Sequence, residues 1–286
     1  MSSPRLEFVT CAHLGGLHRL AYWEWGDRDN PETVICAHGL TRNGRDFDAL
    51  AAALAGRYRI VCPDMPGRGR SDWLSNANLY DFAQYVADCV TLVARLGVER
   101  LAWVGTSMGG LIGMSYAAMR GNPISRLLLN DIGPAIDPAG VSRIDTYVGK
   151  APTLDSYEQA KAYTKEVSAG FGPHDEAGWD MLARHYWVED HGRWRAHYDP
   201  RIAEPIAAAA GQPAPQLWFL YDAIHCPTWV VRGVASDLLS SEVARQMSER
   251  GPRAHVVEVP GVGHAPSFIP SDQIAIVEAF LTETQG

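Results

Sequence analysis

The sequence has no run of eighteen apolar residues in its 286 positions, no lysine- or arginine-rich stretch, and no two cysteines in Cys-x-x-Cys spacing. Each absence removes a class of function. Without the apolar run no membrane-spanning helix is expected. The stretch from Met1 to Leu14 lacks the continuous apolar segment of a secretory signal, so the expected compartment is the cytoplasm. A formal net charge of −8 with no basic cluster leaves no electrostatic footprint for nucleic acid or an anionic membrane surface. The partner implied is a small neutral or weakly charged molecule. Five cysteines is an odd count, and Cys36, Cys62 and Cys226 fall in or beside apolar strand-like runs, where free thiols behave as small buried hydrophobes. Neither a disulfide framework nor a cysteine-based zinc or redox site is expected. There is no internal repeat, and low complexity is confined to the alanine-rich Ile206 to Ala210.

An apolar content of 47% over this length is enough for a large core, most simply one domain carrying an insertion. Short β-type runs alternate with helical stretches: Val34 to Ala37 then Phe47 to Ala55, Arg59 to Cys62 then Phe82 to Leu96, Leu101 to Val104 then Leu111 to Met119, and Arg126 to Leu129. This order predicts an α/β fold, a mostly parallel sheet with helices on both faces, whose reactive residues gather at the carboxyl ends of the strands. Phe8 to Cys11 and Leu20 to Trp25 have no helix between them and predict an antiparallel hairpin at the sheet edge. Alternation resumes with Thr228 to Val231, Val243 to Met247, His255 to Val259 and Ile274 to Leu281. From residue 134 to 225 the pattern is helix after helix with no convincing strand. The expected organisation is therefore a core of residues 1–133 and 226–286, with a helical lid of residues 134–225 covering the carboxyl end of the sheet. Tyr147, Trp179, Tyr186, Trp187, Trp194 and Trp218 are candidates for its inner wall, and several are expected to line an apolar pocket.

Gly105-Thr106-Ser107-Met108-Gly109 lies between a predicted buried strand and a predicted helix. A serine at so tight a corner takes strained backbone angles, and glycines two places either side let the neighbouring strand and helix pass closely. The hydroxyl is pushed out of the fold, and the Met108 amide in the first helical turn points at the same spot. A helix-capping serine is the alternative reading. Serine needs a base, usually an imidazole held by a carboxylate. Among ten histidines, His264 follows the last strand-like run in a loop of glycine and proline, at the correct end of the sheet. The spacing of His185, His191 and His197 is only a faint hint of metal, and no metal site is expected. For the acid, Asp237 follows the strand Thr228 to Val231 and gives the order Ser, Asp, His. Asp131, at the end of Leu127-Leu128-Leu129-Asn130, is the alternative. A second oxyanion donor is expected from the Leu40 amide in Ala37-His38-Gly39-Leu40, with His38 bracing that loop and near the substrate. Asp64 to Asp72 is a tight glycine-rich loop lacking the lysine-serine ending of a phosphate-binding loop.

His38-Gly39, the Asp64 to Asp72 loop, the corner at Ser107, Asp237 and His264 together resemble the α/β-hydrolase superfamily over nearly the whole chain, and within it the capped bacterial carboxylesterases and lipolytic hydrolases. The resemblance implies an eight-stranded sheet and no cofactor. It also implies cleavage of a small carboxylic ester through an acyl-serine intermediate, with Ser107, Asp237 and His264 catalytic and Leu40 and Met108 forming the oxyanion hole. His38, Tyr147, Trp187 and Trp218 are the expected pocket residues. The same fold hosts lactonases, perhydrolases, acyltransferases and carbon–carbon bond hydrolases, for which Arg143, Arg184 or Arg195 are candidates to hold an acid group, and non-catalytic receptors. Oligomeric state is not encoded in any pattern found.

Overall fold

The computed structural model describes residues 3–208 and 216–283. The alanine-rich stretch leaves the described residues after Ala208. Strands β1 (Arg5–His13) and β2 (Gly16–Trp25) form the expected edge hairpin. Then β3 (Thr33–Ala37), α1 (Asp48–Leu54), β4 (Arg59–Pro63), α2 (Phe82–Leu96), β5 (Leu101–Thr106), α3 (Met108–Ala117) and β6 (Ile124–Asn130) alternate. The segment that follows carries α4 (Pro138–Tyr147), α5 (Tyr157–Val167), α6 (Glu176–Arg184), β7 (Trp187–Asp190), β8 (Arg193–Ala196), α7 (Ala203–Ala208) and α8 (Trp218–Tyr221). The chain ends with β9 (Thr228–Gly233), α9 (Ser241–Glu249), β10 (His255–Val259) and α10 (Ser271–Thr282).

Eight strands form one sheet in the order β1-β2-β4-β3-β5-β6-β9-β10, antiparallel at the β1, β2 and β4 junctions and parallel across the rest. Strands β3, β4 and β5 are covered on both faces, which is why they read as unbroken apolar runs rather than alternating ones. One face packs against α2 and α3, the other against α1 and α10. Chain order reverses around β3, which lies between β4 and β5, and a crevice opens at such a reversal outside the carboxyl ends of the strands.

The insertion departs from the sequence expectation in one respect: it contains the antiparallel hairpin β7–β8. Each strand is only four residues long and carries charges, so neither produces an apolar run. The signal present was the turn, since His191 and Gly192 both have positive φ, at 50° and 76°, the conformation of a two-residue hairpin loop.

Candidate active site

Ser107 sits between β5 and α3 with φ 52° and ψ −115°, a backbone state that costs on the order of 1–3 kcal/mol and has to be imposed by its surroundings. The flanking glycines are what permit it. A Cβ on Gly105 would lie 2.3 Å from the Gly109 carbonyl oxygen, and one on Gly109 would lie 2.0 Å from that of Ala37. The Trp103 indole N–H donates to the Gly109 carbonyl at 3.0 Å, fixing α3 against the sheet. The Ser107 side chain makes no helix-capping hydrogen bond. Its hydroxyl instead lies 2.9 Å from His264 Nε2.

His264 Nδ1 is 2.7 Å from Asp131 Oδ2. Asp131 follows β6 directly, is fully buried, and accepts from the Gly233 amide at 2.8 Å and the Ser236 hydroxyl at 2.5 Å. A carboxylate can only accept, so Nδ1 holds the imidazole proton and Nε2 is left to accept from the serine. This corrects the expectation of Asp237 as the orienting acid. Asp237 lies beyond the turn that follows β9, where α4 presents Arg143, and the two form an ion pair with contacts of 2.5 and 3.0 Å. Arg143 holds the Asp237 carboxyl below the ordinary carboxylate range. The sequence order Ser, Asp, His survives because Asp131 also lies between the other two. Ser236, which the sequence reading passed over, donates to Asp131 while accepting from the Leu238 and Leu239 amides at 3.2 and 3.1 Å. Asn130 donates to Thr106 Oγ1 at 2.9 Å and to the Pro266 carbonyl at 2.8 Å, tying the end of β5 to the His264 loop.

Beside the serine, a Cβ on Gly39 would be 3.8 Å from that of Ser107, so the loop after β3 runs against it. Among the described hydrogen bonds the amides of Leu40 and Met108 donate to no group. His38 braces the loop as expected: its Nε2 accepts from the Met65 amide at 2.9 Å and its Nδ1 lies 2.7 Å from the Gly39 carbonyl. Burial pushes its pKa down to about 3, which keeps it neutral. Arg68, from the Asp64 to Asp72 loop, is fully buried and touches both sides of the site. Its Nε donates to the Leu40 carbonyl at 2.8 Å and its Nη2 lies 3.7 Å from Met108 Sδ.

A cleft of about 790 Å³, counting its solvent-open mouth, reaches Ser107 and His264. His38, Gly39 and Leu40 line it from the core, and Ile144, Tyr147, Val167, Phe171, Leu182 and Tyr186 line it from the insertion. Gly170 accepts from the Gly263 amide at 2.7 Å, joining the insertion to the loop that carries His264. Tyr147 and Tyr186 are therefore wall residues, but Trp187 and Trp218 are not. Trp187 is buried between Tyr163 and Tyr186 with its indole N–H on Thr164 Oγ1 at 2.8 Å, and Trp218 packs on Tyr221 under Arg250. Trp179 and Trp194 likewise pack on His174 and Tyr157. Large aromatics inside a small helical layer are needed for its own core, and only those facing the sheet reach the cleft.

The arginines anticipated for an acidic substrate group are engaged elsewhere: Arg184 pairs with Asp180, Arg195 with Asp190, and Arg143 with Asp237. The arginine that lines the cleft is Arg42, which sequence reading missed although it stands four residues before Asp46, the spacing of a local ion pair. Among the described residues, Cys11, His18 and Asp88 have potential ligand atoms within 4.8 Å of one another. The His18–Asp88 contact there is a 2.9 Å hydrogen bond, and none of the three lines the cleft. His191 of the spaced histidines is 99% exposed on the β7–β8 turn. No helix among the described residues is long and apolar enough to cross a membrane.

Residues 34–278 match the alpha/beta hydrolase family. A 3-hydroxybutyrate-oligomer hydrolase of Cupriavidus necator is 50% identical, over 98% of this chain and 99% of its own. Among solved structures, an alpha/beta hydrolase of Novosphingobium aromaticivorans is 37% identical with a TM-score of 0.88, covering 98% of this chain and 99% of its own. A Rickettsia typhi protein is 31% identical with a TM-score of 0.92, covering 98% and 100%.

Proposed function

Since the chain belongs to the alpha/beta hydrolase family, we propose that it is a serine hydrolase of short carboxylic esters, with oligomers of 3-hydroxybutyrate as the substrate class. The observation that carries this reading is the unbroken line of hydrogen bonds from Ser107 Oγ through His264 to Asp131, at 2.9 and 2.7 Å, ending in a cleft. The substrate class is supported by the Cupriavidus necator relative, whose likeness extends over the full length of both chains.

In this reading His264 takes the hydroxyl proton as Ser107 Oγ attacks the ester carbonyl, and the Leu40 and Met108 amides hold the oxyanion. Asp131 keeps the imidazole in the productive tautomer and stabilises its charged form. His264 then gives the proton to the departing alcohol, leaving an acyl-serine. Water, deprotonated by the same imidazole, releases the acid and restores the hydroxyl. Every step is performed by groups of this chain, and residues 134–225 act as the lid that walls the acyl chain from bulk water. Asp131 replaces Asp237 in the mechanism because it alone reaches the imidazole.

The test is release of 3-hydroxybutyrate from its dimer and trimer by the wild type and by Ser107→Ala, with the fold of both followed by circular dichroism. Loss of the nucleophile should lower turnover by about a millionfold, as it does in another serine triad. A folded Ser107→Ala protein turning over within tenfold of wild type contradicts the mechanism.

A further inference from the structure

Arg42 is 7% exposed at its side chain and lies in the wall of the cleft. Its Nε and Nη2 each donate to Asp46 at 2.7 Å, and Nη2 also donates to the Leu182 carbonyl at 2.6 Å. The central carbon of the guanidinium lies 4.8 Å from the ring centre of Tyr186 and 5.8 Å from that of Phe171. That accounts for three of its five N–H groups. Nη1 donates to no group among the described residues, and it is not one of their buried polar atoms left without a partner. It is therefore not sealed off by the protein, and the cleft is the space that this side chain lines. The stem starts close to the nucleophile: Arg42 Cγ and Ser107 Cβ each lie 3.8 Å from the position a Cβ on Gly39 would take. Asp46 lines the same cleft with 19% of its side chain exposed, and each carboxylate oxygen accepts one bond from Arg42 while able to accept another.

We propose that the Arg42–Asp46 pair is a polar subsite that recognises a hydroxyl group on a short acyl chain, Arg42 Nη1 donating to the hydroxyl oxygen and Asp46 accepting its proton. This rests on the reading of the cleft as the acyl site of an ester hydrolase and adds the group that discriminates among acyl chains. The pair is electrically neutral, and that decides between candidate ligands. A carboxylate would meet the Asp46 charge as closely as that of Arg42, whereas a hydroxyl uses both an open donor and an open acceptor. The apolar neighbours Val167, Phe171 and Leu182 accept the carbon chain but offer a hydroxyl no side-chain partner. A chain without the hydroxyl leaves Nη1 dry and unpaired, and a site built around a hydrogen bond rejects the analogue that lacks it.

The test compares the ethyl esters of 3-hydroxybutyrate and butyrate, with monoethyl succinate as the carboxylate-bearing probe. The wild type should favour the hydroxy ester over butyrate by about tenfold or more in kcat/KM, with monoethyl succinate no better than butyrate. In Arg42→Met/Asp46→Leu, which leaves no orphan charge, that ratio should fall to near unity. Arg42→Lys serves as a second variant, because a single ammonium has no second nitrogen at the place of Nη1, and the ratio should fall there too. A wild type without hydroxyl preference, a preference for succinate, or a ratio unchanged in either variant overturns the subsite. Binding of the same esters to Ser107→Ala, measured by calorimetry, separates the two readings. Selective binding without turnover by the wild type sinks the serine mechanism and sustains the subsite, and turnover without selectivity does the reverse.

Discussion

Arg68 is the residue whose setting is hardest to explain by packing alone. A guanidinium with no exposure, whose partners are the Leu40 and Pro66 carbonyls, the Tyr85 hydroxyl, a methionine sulfur and the rings of Tyr80 and Tyr85, is a buried cation with no carboxylate bonded to it among the described residues. Such burial costs several kcal/mol unless something offsets it. Arg68 touches both Leu40 and Met108, and on the proposed mechanism an oxyanion held by their amides supplies the missing negative charge at the moment it forms. In that proposed mechanism Arg68 is therefore a positioning residue with a favourable field. In Arg68→Met, kcat should fall by about tenfold to a hundredfold with little change in KM, and Arg68→Lys should recover part of the loss. A folded Arg68→Met with full kcat, or with the loss confined to KM, contradicts that role. From sequence this arginine was only one letter in a glycine-rich loop, because nothing local marks which loop carbonyl it will meet. Ser107 and His264 were legible because each carries its own punctuation: glycines two places either side of the serine, and glycine and proline around the histidine.

At the scale of elements, the core read clearly and the insertion did not, for a physical reason. Parallel strands buried on both faces announce themselves as apolar runs, so β3, β4, β5, β6 and β9 stand within two residues of where composition puts them, and the edge strand β10 is legible from its three valines. Helix α2 spans the residues expected, Phe82–Leu96, because Asp81 caps its start and Gly97 closes it in the left-handed conformation. The insertion is a thin layer with one face on the cleft, and its aromatics must serve both its own packing and the cleft wall. Sequence cannot say which side of such a layer a tryptophan takes, and Trp187 and Trp218 pack away from the cleft. The β7–β8 hairpin carries two arginines and two acids in eight strand residues, a pattern that stands as strand only through cross-strand pairing and the His191–Gly192 turn.

Across the whole molecule, two consequences follow from how the fold treats its ionisable groups. Burial holds His38 neutral with its pKa pushed down to about 3, and His185 and His197 down to about 4, from 6.5. The unfolded chain protonates these rings below pH 6.5 while the folded chain resists, so their contribution is fully present above 6.5 and is lost as pH falls toward 4. Asp64 acts in the opposite sense, because burial raises it from 3.8 to about 6 and the folded state takes up that proton first. Burial also lowers the pKa of His174 and raises that of Asp48, so four histidines stand against two aspartates, and the melting temperature should fall between pH 7 and pH 4.5. A flat or rising melting temperature over that range contradicts the neutral burial of the histidines. The second consequence concerns the acid. Sheet order places β6 directly beside both β5 and β9, so Asp131, just past its end, lies in the seam between Ser107 and His264, its amide on the Val231 carbonyl at 2.7 Å. Asp237 lies past that seam, within reach of α4. Sequence order allowed both, since each falls between Ser107 and His264, and only strand adjacency separates them. The most direct measurement is therefore turnover of the 3-hydroxybutyrate dimer by Asp131→Asn and Asp237→Asn side by side. The expected result is a loss of about ten thousandfold for Asp131→Asn, as when a triad acid is made an amide, with Asp237→Asn within a few-fold of wild type. A severe loss in Asp237→Asn with Asp131→Asn near normal would contradict the site described here.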